Sequence, residues 1–263
     1  MKIALTIAGS DSGGGAGIQA DLKTFHQFGV FGTSAVVAIT AQNTRGVRGA
    51  YPIPLELVRS QLAALAEDLT PDAVKTGMLA TAALVEGVAS AVAEHGFPNL
   101  VVDPVMVASS GDRLLDENAV ETVADVLIPR ARIVTPNRDE AQLLTGREIE
   151  TEHDMIDAGR QLLERGASAA LVKGGHLRGA TVVDMLVTAN GNRRFEHPRI
   201  DTSSTHGTGC TLSAAIAAGL ALGRSLEDAV ERALAFVHRA IATAPGLGHG
   251  HGPLNHFVPA DDS

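Results

Sequence analysis

The amino-acid sequence predicts an α/β protein with three layers, in which a mainly parallel central sheet carries helices on both faces. Apolar runs that suit strands alternate with amphipathic helical segments along the whole chain, which is the pattern of strand–helix–strand units. Several of these runs are apolar throughout, as expected for strands covered on both faces. With 263 residues, of which 45% are hydrophobic and 19% charged, we expect a single domain over 1–263 with a tail of about 10 residues at its end.

The composition excludes several classes of protein. The formal net charge is −9 and Lys and Arg do not cluster, which argues against a nucleic-acid surface; with no Trp and one Tyr there is no aromatic stacking platform either. No run approaches the ~18 apolar residues that a membrane span needs. A single cysteine excludes an internal disulfide framework, and the first residues do not form a signal peptide, so we expect a cytoplasmic protein.

The first half of the chain predicts three strand–helix pairs and a fourth strand. Apolar runs bounded by Gly, Asp or Asn predict the strands, and segments of helical periodicity predict the helices. Pro54 suits the first turn of the second helix, because an N–H group has no partner there. In order, the elements are strand 2–8, helix 18–28, strand 33–41, helix 54–68, strand 72–78, helix 82–95 and strand 99–105.

The second half of the chain adds capping and turn patterns. Asn137 with Glu140, and Ser225 with Asp228, have the spacing of capping boxes at helix starts. The pair Asn190-Gly191 between two short runs predicts a β-hairpin. In order, the elements are strand 132–135, a helix after Asn137, helix 154–165, strand 169–173, hairpin strands 181–188 and 193–196 joined by 189–192, helix 211–222 and a helix from Ser225 to about Ala244.

The stretch Ser-Thr-His-Gly-Thr-Gly-Cys at 204–210, which runs directly into helix 211–222, predicts an anion site. Gly207 and Gly209 let successive N–H groups point one way, and a helix start adds unpaired N–H groups and the positive end of its dipole. Phosphate is the expected ligand. A lone cysteine such as Cys210 is most often a small buried hydrophobe, but a thiol at a helix N-terminus is also where a thiolate is favoured.

Four polar residues stand at or just beyond predicted strands, where sheets of this class bind ligands. Gln42 offers donors and an acceptor in one plane, which suits the edge of an aminopyrimidine, although a solvated loop glutamine is commoner. Asp103 can hold Mg²⁺ beside a phosphate, or cap the turn at Pro104. Lys173 can reach a nucleotide phosphate, and Glu140 can complete the capping box or reach the same metal.

Two further patterns are weak. Residues 15–20 match the relaxed dinucleotide pattern G-x-G-x-x-A, but no Asp or Glu stands about 20 residues on to hold a ribose, which argues against a dinucleotide oxidoreductase. His249 and His251 are separated by one glycine, and without a fixed helical or strand spacing they give little support for a metal site.

Four motifs occur together in this chain: the glycine-rich stretch 8–21, Ala-Gln-Asn-Thr at 41–44, Lys-Gly-Gly-His at 173–176 and Thr-His-Gly-Thr-Gly-Cys at 205–210. In combination they closely resemble the bacterial hydroxymethylpyrimidine/phosphomethylpyrimidine kinases of thiamine biosynthesis, which belong to the ribokinase superfamily. The resemblance spans nearly the whole chain, including Gly-His-Gly-His-Gly-Pro at 248–253. It implies a ribokinase-like fold, a homodimer, and phosphorylation by ATP of 4-amino-5-hydroxymethyl-2-methylpyrimidine and then of its monophosphate.

The resemblance also implies roles for single residues. Gln42 would pair with the pyrimidine edge, and the rest of that pocket would be lined by Gly9, Ala16, Asp21, Met78 and Val105. The magnesium and phosphate region would contain Asp103 and Glu140. The ATP contacts would come from Lys173, Asn137, Glu140, Gly207 and Thr208. The candidate catalytic residues are Lys173, Gly209 and Cys210.

The resemblance leaves the role of Cys210 open. Sugar kinases of this superfamily usually carry an aspartate there, which acts as base toward the substrate hydroxyl. A Cys210 thiolate is one candidate base; alternatively the thiol only positions the alcohol while the loop N–H groups and Mg²⁺ carry the catalysis. The rival functions are a pyridoxal kinase, whose substrate is a similarly shaped vitamin B6 alcohol, and a pyrimidine-binding sensor without turnover.

Overall fold

The computed structural model describes residues 1–106, 117–175 and 179–260, so His176 of the fourth motif and the last three residues lie outside the described part. All strands within these ranges belong to one sheet, in the order β3-β2-β1-β4-β5-β6-β7-β8-β9. The strands are β1 (Ile3–Asp11), β2 (Phe31–Asn43), β3 (Gly46–Pro52), β4 (Ala73–Thr76), β5 (Leu100–Val102), β6 (Ile133–Val134), β7 (Ala169–Lys173), β8 (Thr181–Thr188) and β9 (Gly191–Pro198).

The central strands from β2 to β7 run parallel, while β3 at one edge and β8 and β9 at the other pair antiparallel with their neighbours. The α-helices of the described ranges are α1 (Gly17–Gln27), α2 (Leu55–Asp68), α3 (Ala82–Glu94), α4 (Glu117–Thr122), α5 (Arg138–Thr145), α6 (Glu152–Glu164), α7 (Thr208–Ala221) and α8 (Leu226–Ala242). The predicted three-layer, mainly parallel α/β architecture is confirmed.

The core lies on both faces of the sheet. Leu5 of β1 packs with α2 and α3 in one apolar cluster, whereas its neighbour Ala4 faces the other way and packs with α1, α7 and α8. This alternation follows from the period of two in a strand. Helix α7 is buried along nearly its whole length, and its many alanines and Gly219, whose Cβ would lie 2.8 Å from that of Ala229, let it approach α8 closely.

The packing of α7 positions the candidate site. Helices α1 and α7 both begin at the edge of the sheet where the parallel strands end. Three chemically useful side chains stand at that edge: Asp11 ends β1, Asp103 directly follows β5, and Lys173 ends β7. Parallel strands collect their carboxyl ends in this way, which is why residues far apart in sequence meet there.

Several elements differ from the sequence predictions. Strand β1 extends three residues further, to Asp11, because it stays paired with β2 as far as Thr40. Strand β3 and the segment α4, which continues as a π-helical turn (Val123–Leu127) and a 3₁₀ turn (Ile128–Arg130), were not expected. The hairpin turn consists of Ala189 and Asn190 alone, and Gly191 already pairs with Thr188. Ser225 caps α8 by accepting the N–H of Asp228, without the reciprocal bond of a full capping box.

Residues 247–258, here called the strap, pack against the body of the protein, and they include the beginning of the tail of about 10 residues that the sequence suggested. Leu254 and Val258 are buried in the apolar cluster of α1, α7 and α8. The His251 N–H donates to the Thr44 carbonyl at 2.7 Å, and the His206 N–H donates to the Gly252 carbonyl at 3.1 Å. The strap therefore ties the β2–β3 turn to the stretch that precedes α7.

Within the described ranges, the helices include none that is both long and apolar enough to cross a membrane.

Candidate active site

A cavity of about 720 Å³ opens at the carboxyl-terminal edge of the sheet. The N-terminus of α7 lies between its two ends. The loop end is lined by Gly9, Ala16, Gln42, Met78, Val105 and His206, and the lysine end by Asn137, Glu140, Lys173 and Asp184. Between them lie Asp103, Gly207, Thr208, Gly209 and Cys210. Of the residues predicted for the site, all except Asp21 line this cavity.

The start of α7 has the geometry expected of an anion site. The helix begins at Thr208, three residues earlier than predicted, so the amides of Gly209 and Cys210 lie in the first turn, where no carbonyl four residues back is available to them. Gly207 has φ 84°, and a Cβ there would lie 1.8 Å from the Gly15 carbonyl oxygen. A Cβ at Gly209 would lie 3.2 Å from Lys173 Nζ. Both glycines therefore keep the backbone open to neighbours and to a ligand.

The glycine-rich loop is held by the Asp11 carboxylate. Its Oδ1 accepts the N–H of Gly13 at 2.7 Å, and its Oδ2 accepts the N–H groups of Gly15 and Ala16 at 3.0 and 2.9 Å. His206 Nε2 lies 2.9 Å from the same Oδ2. Burial opposes ionisation of Asp11, but the hydrogen bonds from His206 and the loop amides outweigh it and hold its pKa below the usual value.

At the loop end, Gln42 projects from β2 itself, one residue before the strand ends. Its carboxamide lies 3.3 Å from Thr40 Oγ1 and 3.4 Å from His206 Nε2. Met78 and Val105 line the wall of this end, and a Cβ at Gly9 would come within 2.7 Å of Met78 Cε. The absence of a side chain at Gly9 thus leaves room for Met78 beside the cavity.

Asp21 lies behind this wall and not in the cavity lining, which corrects the expectation of direct substrate contact. The side chains of Asp21 and Lys75 are fully buried, with Lys75 Nζ 2.8 and 3.1 Å from the two carboxylate oxygens. Thr6 Oγ1 donates to Asp21 Oδ2 at 2.5 Å. Burial acts to lower the pKa of Lys75, but the charge of Asp21 outweighs it and the pKa is raised. The hydrogen-bonding capacity of Asp21 is used by Lys75 and Thr6.

Cys210 is partly accessible from the cavity and enclosed by protein elsewhere. Burial raises the pKa of its thiol to about 11, and the negative charges of Asp21 and Asp103 act in the same direction. Lys75 and the Gly17 N–H oppose this rise but do not overcome it. With its pKa raised in this way the thiol is protonated at neutral pH, which favours the second role considered for Cys210, that of positioning the alcohol.

The lysine end holds opposite charges close together. Lys173 Nζ lies 3.4 Å from Asp103 Oδ1, and Ser213 Oγ lies 3.2 Å from Asp103 Oδ2 and 2.9 Å from the Gly209 carbonyl oxygen. Burial acts against the charge of Lys173, but Asp103 and Glu140 outweigh it and raise the pKa of the lysine. Lys173 is therefore a fixed cation that faces the start of α7.

Glu140 forms the predicted capping box with Asn137. Its Oε2 accepts the Asn137 N–H at 2.8 Å, and the Asn137 side chain accepts the Glu140 N–H at 2.9 Å. Burial raises the pKa of Glu140 to about 7, with Asp103 acting in the same sense and Lys173 against it. Two buried carboxylates thus face one ammonium group, and this excess of negative charge suits a cation.

A cation at this point would fit Mg²⁺, which takes oxygen ligands and is usually held by one or two carboxylates with the rest supplied by water and substrate phosphates. Over 1–106, 117–175 and 179–260 there is no group of three or more His, Cys, Asp or Glu placed to hold a metal ion. His249 and His251, whose spacing gave little support for a metal site, donate their backbone N–H groups to Thr44.

Sequence reasoning missed three residues of the site. Asp11 lies in the glycine-rich stretch 8–21 and His206 in the motif at 205–210. They are 195 positions apart, and their contact follows only from the fold. Asp184 of β8 lines the lysine end, accepts the Gly174 N–H at 3.0 Å and has its pKa raised by burial to about 6. No local pattern marks Asp184, because it stands within an ordinary apolar strand.

The chain is similar over almost its whole length to known proteins. The family described as phosphomethylpyrimidine kinase matches residues 11–255. Hydroxymethylpyrimidine/phosphomethylpyrimidine kinase from Bacillus subtilis is 50% identical over 97% of this chain and 94% of its own length. The structure of an ADP complex of Bacillus subtilis pyridoxal kinase has a TM-score of 0.91 and 39% identity over 97% of both chains.

A structure of phosphomethylpyrimidine kinase from Clostridium difficile has a TM-score of 0.83 and 41% identity, over 92% of this chain and 100% of that one. These neighbours and the sheet order confirm the ribokinase-like fold. The match to the family description covers the glycine-rich loop, Gln42, Lys173 and the start of α7. The chain belongs to the phosphomethylpyrimidine kinase family.

Proposed function

We propose that this protein transfers the γ-phosphoryl group of ATP to the hydroxymethyl group of 4-amino-5-hydroxymethyl-2-methylpyrimidine, and then phosphorylates the monophosphate. The observation that carries the proposal is the cavity itself, with Gln42 at one end, Lys173 at the other and the start of α7 between them. A planar carboxamide suits a heteroaromatic edge, and fixed cations with helix-start amides suit phosphates.

On the acceptor side, Gln42 and the wall formed by Met78 and Val105 would hold the pyrimidine ring. The hydroxymethyl oxygen would then lie beside the Cys210 thiol. Phosphoryl transfer passes through a loose transition state and needs little activation of the nucleophile. A neutral thiol that orients the alcohol is therefore sufficient.

On the donor side, the first-turn amides of Gly209 and Cys210 would face the phosphoryl group as it moves between the two oxygens. Lys173 would hold the charge of the ATP phosphates, and Gly209 lacks the side chain that would otherwise crowd its ammonium group. Pre-oriented donors of this kind act where charge develops in the transition state.

We place Mg²⁺ at Asp103 and Glu140. When bound there, the ion neutralises charge on the phosphates. Asp103 contacts Lys173 and Ser213, and Glu140 accepts the backbone N–H of Asn137, so both carboxylates have protein partners before a ligand arrives.

A second candidate is a pyridoxal kinase. It is favoured by the close similarity to the Bacillus subtilis pyridoxal kinase structure, which extends over 97% of this chain. Pyridoxal also presents a hydroxymethyl group on a six-membered aromatic ring, so the same cavity shape serves both.

The test is mass-spectrometric detection of products after incubation with ATP, Mg²⁺ and, separately, the hydroxymethylpyrimidine, its monophosphate and pyridoxal. We expect a monophosphate and a diphosphate from the two pyrimidines and little product from pyridoxal. Turnover of pyridoxal alone would move the assignment to the second candidate. No product from any acceptor would leave a binding protein without turnover.

We also propose a homodimer located in the cytoplasm. Ile39 of β2 and Tyr51 of the edge strand β3 are paired in register and are 55% and 71% exposed, which leaves an apolar patch of the kind that marks an interface. Light scattering of the protein and of an Ile39→Glu variant tests this: a dimer that becomes a monomer supports it. Cell fractionation tests the location.

A further inference from the structure

His206 meets both Asp11 and Gln42 at the loop end of the cavity. Its Nε2 lies 2.9 Å from Asp11 Oδ2 and 3.4 Å from the near terminal atom of the Gln42 carboxamide. The side chain is buried, with 8% of the residue exposed, and it lines the cavity. One ring nitrogen therefore joins the carboxylate that holds the glycine loop to the amide expected to read the substrate.

The partners of Asp11 decide which role this nitrogen has. The Asp11 carboxylate accepts three loop N–H groups and has a lowered pKa, so it is ionised and can only accept. His206 Nε2 must then carry a hydrogen and donate it to Asp11, whether the imidazole is neutral or charged. Because its only lone pair is used by that hydrogen, Nε2 cannot accept a hydrogen bond from Gln42. The hydrogen that it gives to Asp11 at 2.9 Å can be shared with an acceptor on the Gln42 side, 3.4 Å away.

The orientation of Gln42 follows from its two neighbours. The amide nitrogen of Gln42 stands toward His206 in the structure, which sets two N–H donors face to face. On the other side, the Thr40 hydroxyl already donates to the Ser10 carbonyl at 2.8 Å, so its oxygen is left as an acceptor 3.3 Å from the Gln42 carboxamide. The oxygen and nitrogen of a carboxamide are distinguished by such partners and not by shape.

We propose that His206 and Thr40 fix the Gln42 carboxamide with its oxygen toward His206 and its nitrogen toward Thr40, and that this polarity selects the ring edge of the acceptor. His206 is thus a positioning and specificity-determining residue. The inference rests on the proposed function, whose pyrimidine substrate it makes more specific.

This polarity agrees with the chemistry of the acceptor. The Gln42 oxygen accepts from an exocyclic amino group, and the nitrogen donates to the adjacent ring nitrogen. In the hydroxymethylpyrimidine, the hydroxymethyl group is the neighbour of the amino group on the side away from that ring nitrogen. Because His206 leads directly into Gly207 and α7, an amino group on the His206 side places the alcohol next to Cys210. The opposite polarity would direct the alcohol away from the start of α7.

The His206 ring is held in place by packing on several sides. A Cβ at Gly15 would lie 2.6 Å from His206 Cδ2 and 3.2 Å from Pro253 Cβ, so ring, loop and strap are in close contact. The His206 N–H donates to the Gly252 carbonyl at 3.1 Å. A ring with so little freedom can hold the orientation of Gln42 before the ligand binds.

The experiment compares dissociation constants for 4-amino-5-hydroxymethyl-2-methylpyrimidine and for the analogue without the amino group, measured by isothermal titration calorimetry. His206→Met removes the donor. We expect it to reduce the preference for the amino compound about tenfold, the typical contribution of one hydrogen bond, with little change for the analogue. His206→Gln, which can present an N–H in the same place, restores the preference. Thr40→Val reduces it in the same direction.

The matched control is His256→Met. His256 has the same exposure of 8% and lies near the same helix, where its Nε2 meets Thr211 Oγ1 at 3.0 Å, but it does not line the cavity. We expect this variant to leave the preference for the amino compound unchanged. Equal losses for both compounds in His206→Met would overturn the inference and make the residue merely structural, as would a preference that His206→Gln fails to restore.

Product formation is followed in the same samples, so that the two proposals can fail separately. A preference that depends on His206, without turnover, would reject the kinase function and keep the recognition inference. Turnover together with an amino-compound preference that is the same in His206→Met and wild type would keep the kinase function and reject the recognition inference.

Discussion

The two ends of the cavity are built on different physical principles. At the loop end, Asp11 accepts three backbone N–H groups and contacts His206, and these hydrogen bonds hold its pKa below the usual value. At the lysine end, Glu140 and Asp184 are buried carboxylates whose pKa values are raised, to about 7 and about 6. The loop end is complete without a ligand, whereas the lysine end carries charge that protein partners do not fully satisfy.

This difference suits the two kinds of ligand expected. A neutral heteroaromatic ring is recognised by shape and by the pattern of donors and acceptors, which requires a rigid surface. ATP with a bound cation supplies both negative and positive charge, which can balance the buried carboxylates and the lysine at the lysine end. The comparison predicts that substitutions at the loop end act on stability and specificity, and those at the lysine end on turnover and on the pH dependence of stability.

The largest expected effect is on stability and comes from the ion pair behind the loop end. Lys75→Met leaves the fully buried Asp21 without its partner and should lower the free energy of unfolding by about 3–5 kcal/mol, measured by urea denaturation. Lys2→Met is the control: it breaks a pair of similar length, 2.6 Å, but with the lysine 52% exposed, and should cost no more than about 1 kcal/mol. Equal losses would contradict the view that the loop end depends on satisfied buried charge.

At the lysine end, Lys173→Met should lower kcat about 100- to 1,000-fold, the range typical for loss of one pre-oriented group that stabilises transition-state charge. The KM for the pyrimidine should change little, because Lys173 lies at the other end of the cavity. Steady-state kinetics with each substrate varied in turn measures both. A raised pyrimidine KM with kcat preserved would show that the two ends are not separate.

Asp184→Asn should stabilise the protein at pH 8 by about 1–3 kcal/mol, because it removes a buried charge while its oxygen can still accept the Gly174 N–H. The folded-state pKa of Asp184 is raised from 3.8 to about 6, so the wild type loses stability as the pH rises through that interval. The advantage of the variant should therefore shrink as the pH falls from 8 toward 4, in urea denaturation at each pH.

Asp154→Asn serves as a control of opposite sign. The pKa of Asp154 is lowered by hydrogen bonds from Thr151 and Glu150, so its contribution is present at neutral pH and lost on acidification. An Asp184→Asn variant that behaves like Asp154→Asn would remove the contrast between the two ends.

The smallest effect is expected between the ends, at Cys210. Cys210→Ala should lower kcat about tenfold and change affinity far less, since an orienting contact acts mainly in the transition state. The ratio of wild-type to Cys210→Ser turnover should stay flat between about pH 7 and pH 9, because the pKa of the thiol is raised to about 11. A wild-type to Cys210→Ser turnover ratio that rises about tenfold per pH unit would instead support the Cys210 thiolate as the catalytic base. Unchanged turnover in Cys210→Ala would remove Cys210 from the mechanism.

Much of this arrangement could be predicted from the sequence, because the patterns that specify it lie within short stretches of the chain. The order of strands and helices follows from hydrophobic periodicity, the Asn137–Glu140 capping box from its spacing, and the start of α7 from two glycines before an apolar helix. The parallel pairing of β1, β4, β5, β6 and β7 then brings Asp103 and Lys173 to one edge, as expected for strands that end in polar residues.

What the sequence did not predict depends on tertiary contacts. Strand β3 is largely exposed and lacks a clear alternation, so only its pairing with β2 defines it. Asp21 lies outside the cavity lining because it pairs with Lys75, which is 54 positions away in the sequence. The high pKa of Cys210 reflects enclosure by several elements, which outweighs the helix start that the sequence reveals.

The strap has a consequence for biosynthesis. A ribosome synthesises residues 247–258 after every strand of the sheet in the described ranges, and domains begin to fold before synthesis is complete. A nascent chain that already contains Gln42, Lys173 and Cys210 still lacks the contacts that fix Thr44 and His206. Competence to bind the acceptor should therefore arise only once residues 247–258 have been synthesised, after the sheet itself can form.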